Sequence, residues 1–373
     1  MKSDRDLQAF FALLRAGLWE QEVRLVPYGE VDYKTVFQVA EEQTVVGLIT
    51  AGIEHVADMK PAKMDVLQFV GRTVQIEQQN QAMNQFIAEL VEKMREAGIY
   101  TVLVKGQGIA QCYERPLWRA CGDVDLLLDA ENYEKAKVFL NPLATSVDEE
   151  DKQRKHYGVT IEPWLVELHG TLHSGYLGQM DSLVDIIQLE MLENGRTRIW
   201  KNDAVDVLLP AADEDVVFVF THILQHYFVG GVGLRQICDW CRLLWKFSLE
   251  LNVTLLEKRL QKAGILSKWK AFAALAVDYL GMPAEYLPLY SSDKMWSRKA
   301  CQILSLVMEL GNFGHGRDKS YKEKYPVLIA NIISLWVYTK YNLVQFSIFP
   351  LDAFKAWVIT MKKGIKAVSK FEG

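Results

Sequence analysis

The stretch from Tyr100 to Ala130, YTVLVKGQGIAQCYERPLWRACGDVDLLLDA, constrains the fold more than any other part of the chain. It opens on a short apolar run, Val102-Leu103-Val104, that reads as a strand. Lys105-Gly106 follows, then a turn or two of helix, and the stretch closes on Gly122-Asp123-Val124-Asp125-Leu126-Leu127-Leu128. Strand side chains alternate between faces, so Asp123 and Asp125 project to the same side. Leu126 and Leu128 are expected to continue that side. Two carboxylates on one face at the start of a buried strand repel each other and are costly to strip of water. A divalent cation is the usual reason to keep them together.

The flanking sequence predicts what carries this stretch. Residues 4–19 read as an amphipathic helix, with Leu7, Phe10, Phe11, Leu14 and Leu18 at helical spacing. One or two helices follow over 33–58, with Gly47 and Gly52 as weak points. From Met64 to Ala97 the chain is almost free of breakers, and Gly98 sits where a glycine ends a helix. After the strand at 101–104 come a short helix near 107–113, a strand at 123–128 and a helix in AENYEKAKVFL. A highly charged loop at 148–155 leads to a hairpin, HYGVTIE and WLVELHG, about Pro163. In its second strand Leu165, Glu167 and His169 share one face, while Val166 and Leu168 share the other.

Beyond residue 181 the pattern is mostly helical, interrupted by a strand pair that ends at Pro210. A basic polar loop runs from His315 to Lys324, and a helical segment runs from Pro326 to Lys370. The expected class is α+β: a small mixed sheet over 99–210, between helical regions at 1–98 and 211–373.

Charge narrows the partners. With 42 basic and 47 acidic residues the net charge is −5, so no basic excess advertises a duplex nucleic acid. A small nucleotide or a protein suits this balance better. The five cysteines include Cys238-x-x-Cys241, but within a helical pattern and without a second such pair, which argues against a zinc ribbon. They are expected to be buried, reduced thiols of a cytoplasmic protein. The N-terminal helix carries charges within its apolar run, unlike a signal peptide. No run of 18 apolar residues exists to span a membrane. The C-terminal helices, aromatic first and Lys-rich later, are expected to dock on the body, with peripheral membrane contact as the other reading.

Four groups of residues could carry chemistry. Gly106, Asp123, Asp125 and Glu167 fit metal-dependent phosphoryl or nucleotidyl transfer. Two aspartates at i, i+2 and a carboxylate from a second strand offer a platform for Mg²⁺ or Mn²⁺, and a glycine lets backbone N–H groups approach phosphates. His222 and His226, four apart on a helix, either share a metal such as zinc or are hydrogen-bonded core imidazoles. His169 shares the face of Glu167, so a role beside the metal is expected. Arg119, four residues before Asp123, pairs either with a phosphate or with an acidic neighbour, and Arg235 with Asp239 forms an i, i+4 pair.

These residues in turn resemble a family of bacterial nucleotidyltransferases in the DNA polymerase beta-like superfamily. Lys105-Gly106, Tyr113, Arg119, Asp123-Val124-Asp125, Glu167-Leu168-His169, His222, His226, Arg235 and Asp239 match its pattern, from about residue 100 to 245. The resemblance implies a nucleotidyltransferase core that binds an NTP, ATP foremost, with Mg²⁺, and passes an NMP to an acceptor hydroxyl. The acceptor is a small molecule, sugar, RNA or protein. It implies Asp123, Asp125 and Glu167 as catalytic and metal-holding residues. Lys105, Gly106, Gln107 and Arg119 would contact the nucleotide, and His169, His226 and Arg235 the substrate. One position departs from the superfamily: a serine often follows the first glycine, and here Lys105 or Gln107 is expected to stand in for it. A catalytically degenerate nucleotide-binding or scaffolding protein of the same fold is the alternative, and a zinc hydrolase built on the histidines is a third.

Overall fold

The computed structural model describes residues 4–173, 175, 178–311 and 324–369. The N-terminal helices are α1 (Asp4–Trp19), α2 (Tyr33–Glu42), α3 (Val46–Glu54) and the long α4 (Lys63–Glu96). Asp65 lies in the first turn of α4 and Lys93 and Arg95 in its last, each sign matched to its end of the helix dipole. Gly98, at φ +71°, closes it, with Ile99 N–H donating to Met94 O at 2.8 Å.

Glycines in α1 and α3 serve contact rather than weakness. A Cβ on Gly17 would sit 1.8 Å from Leu48 O, and one on Gly52 would sit 2.0 Å from Leu13 O. The two helices therefore cross backbone to backbone, and Gly47 likewise leaves room for the Trp118 carbonyl. This replaces the expectation that Gly47 and Gly52 weaken the helix. Gly52→Ala should destabilise the fold by about 1–3 kcal/mol or more. A lowered urea midpoint at unchanged slope would show it, and an unchanged midpoint would refute the close crossing.

The central sheet follows: β1 (Val102–Val104), α5 (Gly106–Ala110), β2 (Asp123–Leu127), α6 (Ala130–Leu140), β3 (Ser146–Val147), β4 (His156–Ile161) and β5 (Trp164–His169). Its order is β1-β2-β5-β4-β3. β2 and β5 run parallel, which sets Asp125 beside Glu167, and the other pairs are antiparallel. The fold is α+β with a small mixed sheet, as the sequence predicts. Helix α5 ends sooner than the expected 107–113.

Period two holds through the whole of β2. Val124, Leu126 and Leu128 enter one apolar cluster, with Met83 to Met94 of α4, α6 and Val166 and Leu168 of β5. Leu127 enters the other cluster, with Val102 and Val104. So Leu127, and not Leu126 or Leu128, continues the side that carries Asp123 and Asp125.

Helix α7 (Gly178–Leu192) and the hairpin β6 (Thr197–Asn202) and β7 (Val205–Pro210) lead to α8 (Ala212–Val229), α9 (Leu234–Lys246), α10 (Val253–Lys262), α11 (Leu266–Asp278) and α12 (Lys294–Leu310). Two further helices, Val327–Ile348 and Pro350–Ser369, close the described chain. They dock on the body: Tyr338 Oη donates to Phe228 O at 3.1 Å, and Ile348, Phe349 and Ala353 join the larger core. Among the described residues no helix is long and apolar enough to cross a membrane. The basic loop expected from His315 lies outside the described residues up to 323. Cys112, Cys121, Cys238 and Cys241 are buried free thiols, but Cys301 is exposed, on a surface position of α12.

Candidate active site

The carboxylate face of the sheet lies beneath α8 and α9. The turn from β1 to α5 brings Lys105 to its edge. Lys105 has φ +60° and ψ −146°, a backbone region normally left to glycine and costing about 1–3 kcal/mol. Gly106 also has positive φ, and a Cβ there would press Cys121 Sγ at 3.2 Å and Asp123 O at 3.4 Å. The chain thus holds a strained turn hard against the start of β2.

Asp123, Asp125 and Glu167 converge so that one oxygen of each lies within 4.8 Å of the others. Lys105 Nζ is 2.7 Å from Asp125 Oδ1, and His169 Nε2 donates to the same oxygen at 2.8 Å. Glu167 Oε2 accepts from His156 Nε2 at 3.2 Å and lies 3.6 Å from His169 Nε2. The charge of Asp125, and then burial, pushes the Asp123 carboxyl above its ordinary range. Burial would lower the Lys105 ammonium, but Asp125, Asp123 and Glu167 more than reverse this and hold it charged. His169 is raised in the same way: burial opposes its charge, and hydrogen bonds to Asp125 and Glu167 favour it.

Glu167 has the clearest consequence for pH. Burial pushes its carboxyl up, but hydrogen bonds from His156 and His169 and the charge of Lys105 bring it far below its ordinary 4.5. An acid lowered by folding stabilises the fold above its unfolded value, and that contribution is lost as pH falls. Glu167→Gln should therefore flatten the loss of stability from about pH 5 to about pH 3, read from urea midpoints across that range. Parallel curves for variant and parent would contradict the ion-paired geometry.

The remaining candidates fall into distinct places. Arg119 forms a buried two-pronged pair with Asp239 of α9, Nε to Oδ1 at 3.0 Å and Nη2 to Oδ2 at 2.7 Å. Tyr113 Oη donates to the same carboxylate at 2.8 Å. Arg235 lies over the site on α9, 3.9 Å from Asp239, and its buried Nε has no hydrogen-bond partner. The side chain of Gln107 points into the interior, where it donates to Asn80 of α4 at 2.7 Å. His222 and His226 share a hydrogen bond between their Nε2 atoms at 3.0 Å. Burial, with the charge of Lys105, pushes His222 well below its ordinary value and His226 down to about 4, so both stay neutral at pH 7.

Two adjoining cavities flank the carboxylates. The smaller, about 50 Å³, has Gly106, Arg119, Arg235 and Asp239 in its wall. The larger, about 260 Å³, has His156, His169, His173, His222 and His226. A bigger cavity of about 770 Å³ between α7, α8 and α10 contains none of the three carboxylates. Chemistry rather than volume assigns the site.

A family model described as an uncharacterised nucleotidyltransferase matches residues 29–281. The chain belongs to this nucleotidyltransferase family. The match covers the sheet, α8, α9 and every carboxylate and histidine of the site. No curated protein and no solved structure matches the chain. His156 was not among the residues singled out from the sequence, yet it completes the Glu167 pair. The signal was in the hairpin: a turn at Glu162-Pro163 pairs His156 with His169.

Proposed function

We propose that this nucleotidyltransferase moves an NMP from an NTP, ATP foremost, to an acceptor hydroxyl. The observation that carries the reading is the convergence of Asp123, Asp125 and Glu167 beside the Lys105-Gly106 turn. Three carboxylates pressed together, one of them pushed up by its neighbour's charge, are a donor set suited to Mg²⁺ or Mn²⁺. Such a cation neutralises phosphate charge and polarises the reacting phosphorus when bound.

The chain's own groups do the rest. The acceptor oxygen forms a bond to the α-phosphorus, the bond from that phosphorus to the β-bridging oxygen breaks, and pyrophosphate leaves with the electron pair. The hydroxyl proton passes to solvent at the cavity edge, and Glu167, held ionised, orients the hydroxyl by accepting its hydrogen bond. Lys105 and Arg235 supply positive charge, Arg235 with a spare buried donor for a phosphate oxygen. Arg119 acts by holding Asp239 and thereby α9. The Lys105-Gly106 backbone takes the place of the missing serine.

A second reading, nucleotide binding without turnover, is favoured by the Lys105 ammonium already neutralising Asp125 at 2.7 Å. Calorimetric titration with each NTP and Mg²⁺ or Mn²⁺, followed by pyrophosphate release with sugar, RNA and protein acceptors, separates the two. Release that requires the cation supports transfer. Tight binding with no release from any acceptor supports the second reading, and absence of binding defeats both.

A further inference from the structure

Five of the seven histidines in the chain face the 260 Å³ cavity, and nucleotidyl transfer as described above uses none of them as a ligand. Two of them, His156 and His169, stand opposite each other across the β4–β5 hairpin. Their rings lie with centroids 4.9 Å apart, and both Nε2 atoms converge on Glu167 Oε2, at 3.2 and 3.6 Å. One donor atom from each of the three residues lies within 4.8 Å of the others. A backbone ladder fixes all three, since they sit on paired strands rather than on a loop.

We propose that His156, Glu167 and His169 form a second cation site, distinct in chemistry from the all-carboxylate set and joined to it through Glu167 and through His169, whose Nε2 gives up its proton and its hydrogen bond to Asp125 when a cation binds. Two imidazoles and a carboxylate suit Zn²⁺ and its borderline neighbours Co²⁺ and Ni²⁺, and suit Mg²⁺ poorly, because Mg²⁺ prefers oxygen donors and retained water. Two imidazoles and a carboxylate with a fourth position open is the arrangement of catalytic rather than structural zinc. Here the open side is the cavity, lined opposite by His222 and His226. The two neighbouring sets therefore sort cations: hard Mg²⁺ on Asp123, Asp125 and Glu167, a nitrogen-preferring ion on His156, Glu167 and His169. The open position would hold an oxygen of the acceptor, a role that rests on the transfer reading; the site itself does not.

The test needs no nucleotide. Chelator-stripped full-length protein is titrated with Co²⁺ in excess Mg²⁺ and followed by visible absorption. The expected result is one Co²⁺ per chain with the strong absorption of four- or five-coordinate cobalt, displaced by stoichiometric Zn²⁺. His156→Gln and His156→Ala, at a half-exposed position, should each weaken Co²⁺ binding by at least about 100-fold. Asp123→Asn should leave the cobalt spectrum in place. Absence of the absorption, its displacement by Mg²⁺, or its loss in Asp123→Asn with retention in His156→Gln would overturn the proposal. NTP binding and pyrophosphate release are measured separately, so either reading can fail while the other stands.

Discussion

Asp123→Asn should lower pyrophosphate release by about 10³-fold, or on the order of 4 kcal/mol of transition-state stabilisation, while making the cation-free protein harder to melt. The two effects have one cause. Asp123 sits beside Asp125 on a partly dry face, and that neighbour's charge, with burial, disfavours its ionised form. A neutral amide removes the repulsion and, on the proposed reading, also removes a cation ligand. Mg²⁺ should raise the melting temperature of the parent, because a ligand that binds only the folded state stabilises it, and should do so far less for the variant. Thermal melts with and without Mg²⁺, set beside release rates, read both effects. Equal Mg²⁺ shifts and equal rates in parent and variant would remove Asp123 from the site.

Arg119→Ala should cost about 3–5 kcal/mol of folding stability, the scale for stripping one partner from a buried ion pair. Both side chains are only 4% exposed, and loss of the guanidinium would leave Asp239 buried with a hydrogen bond from Tyr113 and the more distant Arg235 at 3.9 Å. Burial alone would raise the Asp239 carboxyl; Arg119 brings it below its ordinary range, which is the measure of that dependence. Asp239→Ala should cost a similar amount, and the double variant less than the sum, because the pair is lost only once. Urea unfolding of the three variants checks this. Unchanged stability with weakened NTP affinity would instead put Arg119 on a phosphate.

These two residues mark how far the sequence could be read. Strand alternation alone brought Asp123 and Asp125 to one side, and the hairpin pattern placed Glu167 and His169 on one face of β5. Those are local properties, fixed by period two. Arg119 was equally visible, but its choice between a phosphate and Asp239 depends on α9 returning over the sheet 120 residues later, which no local pattern encodes. Gln107 fails to be legible for the same reason. Its neighbours suggested a phosphate loop, whereas Asn80 on α4 draws its side chain inward. Gly47 and Gly52 looked like breakers because their partners, the carbonyls of Trp118 and Leu13, lie elsewhere in the chain. Exposed Cys301 shows that residue type alone does not fix burial.

The parallel pairing of β2 with β5 has a consequence for how such a chain tolerates changes of length. Asp125 meets Glu167 only because the two strands are in one register; a single residue added to or removed from either strand would bring Val166 or Leu168 alongside instead. The helix α6 and the charged loop between β2 and the β4–β5 hairpin carry no such requirement, since they only have to return the chain to the sheet. Insertions there should be absorbed, and insertions within the strands should erase the site while the sheet itself persists.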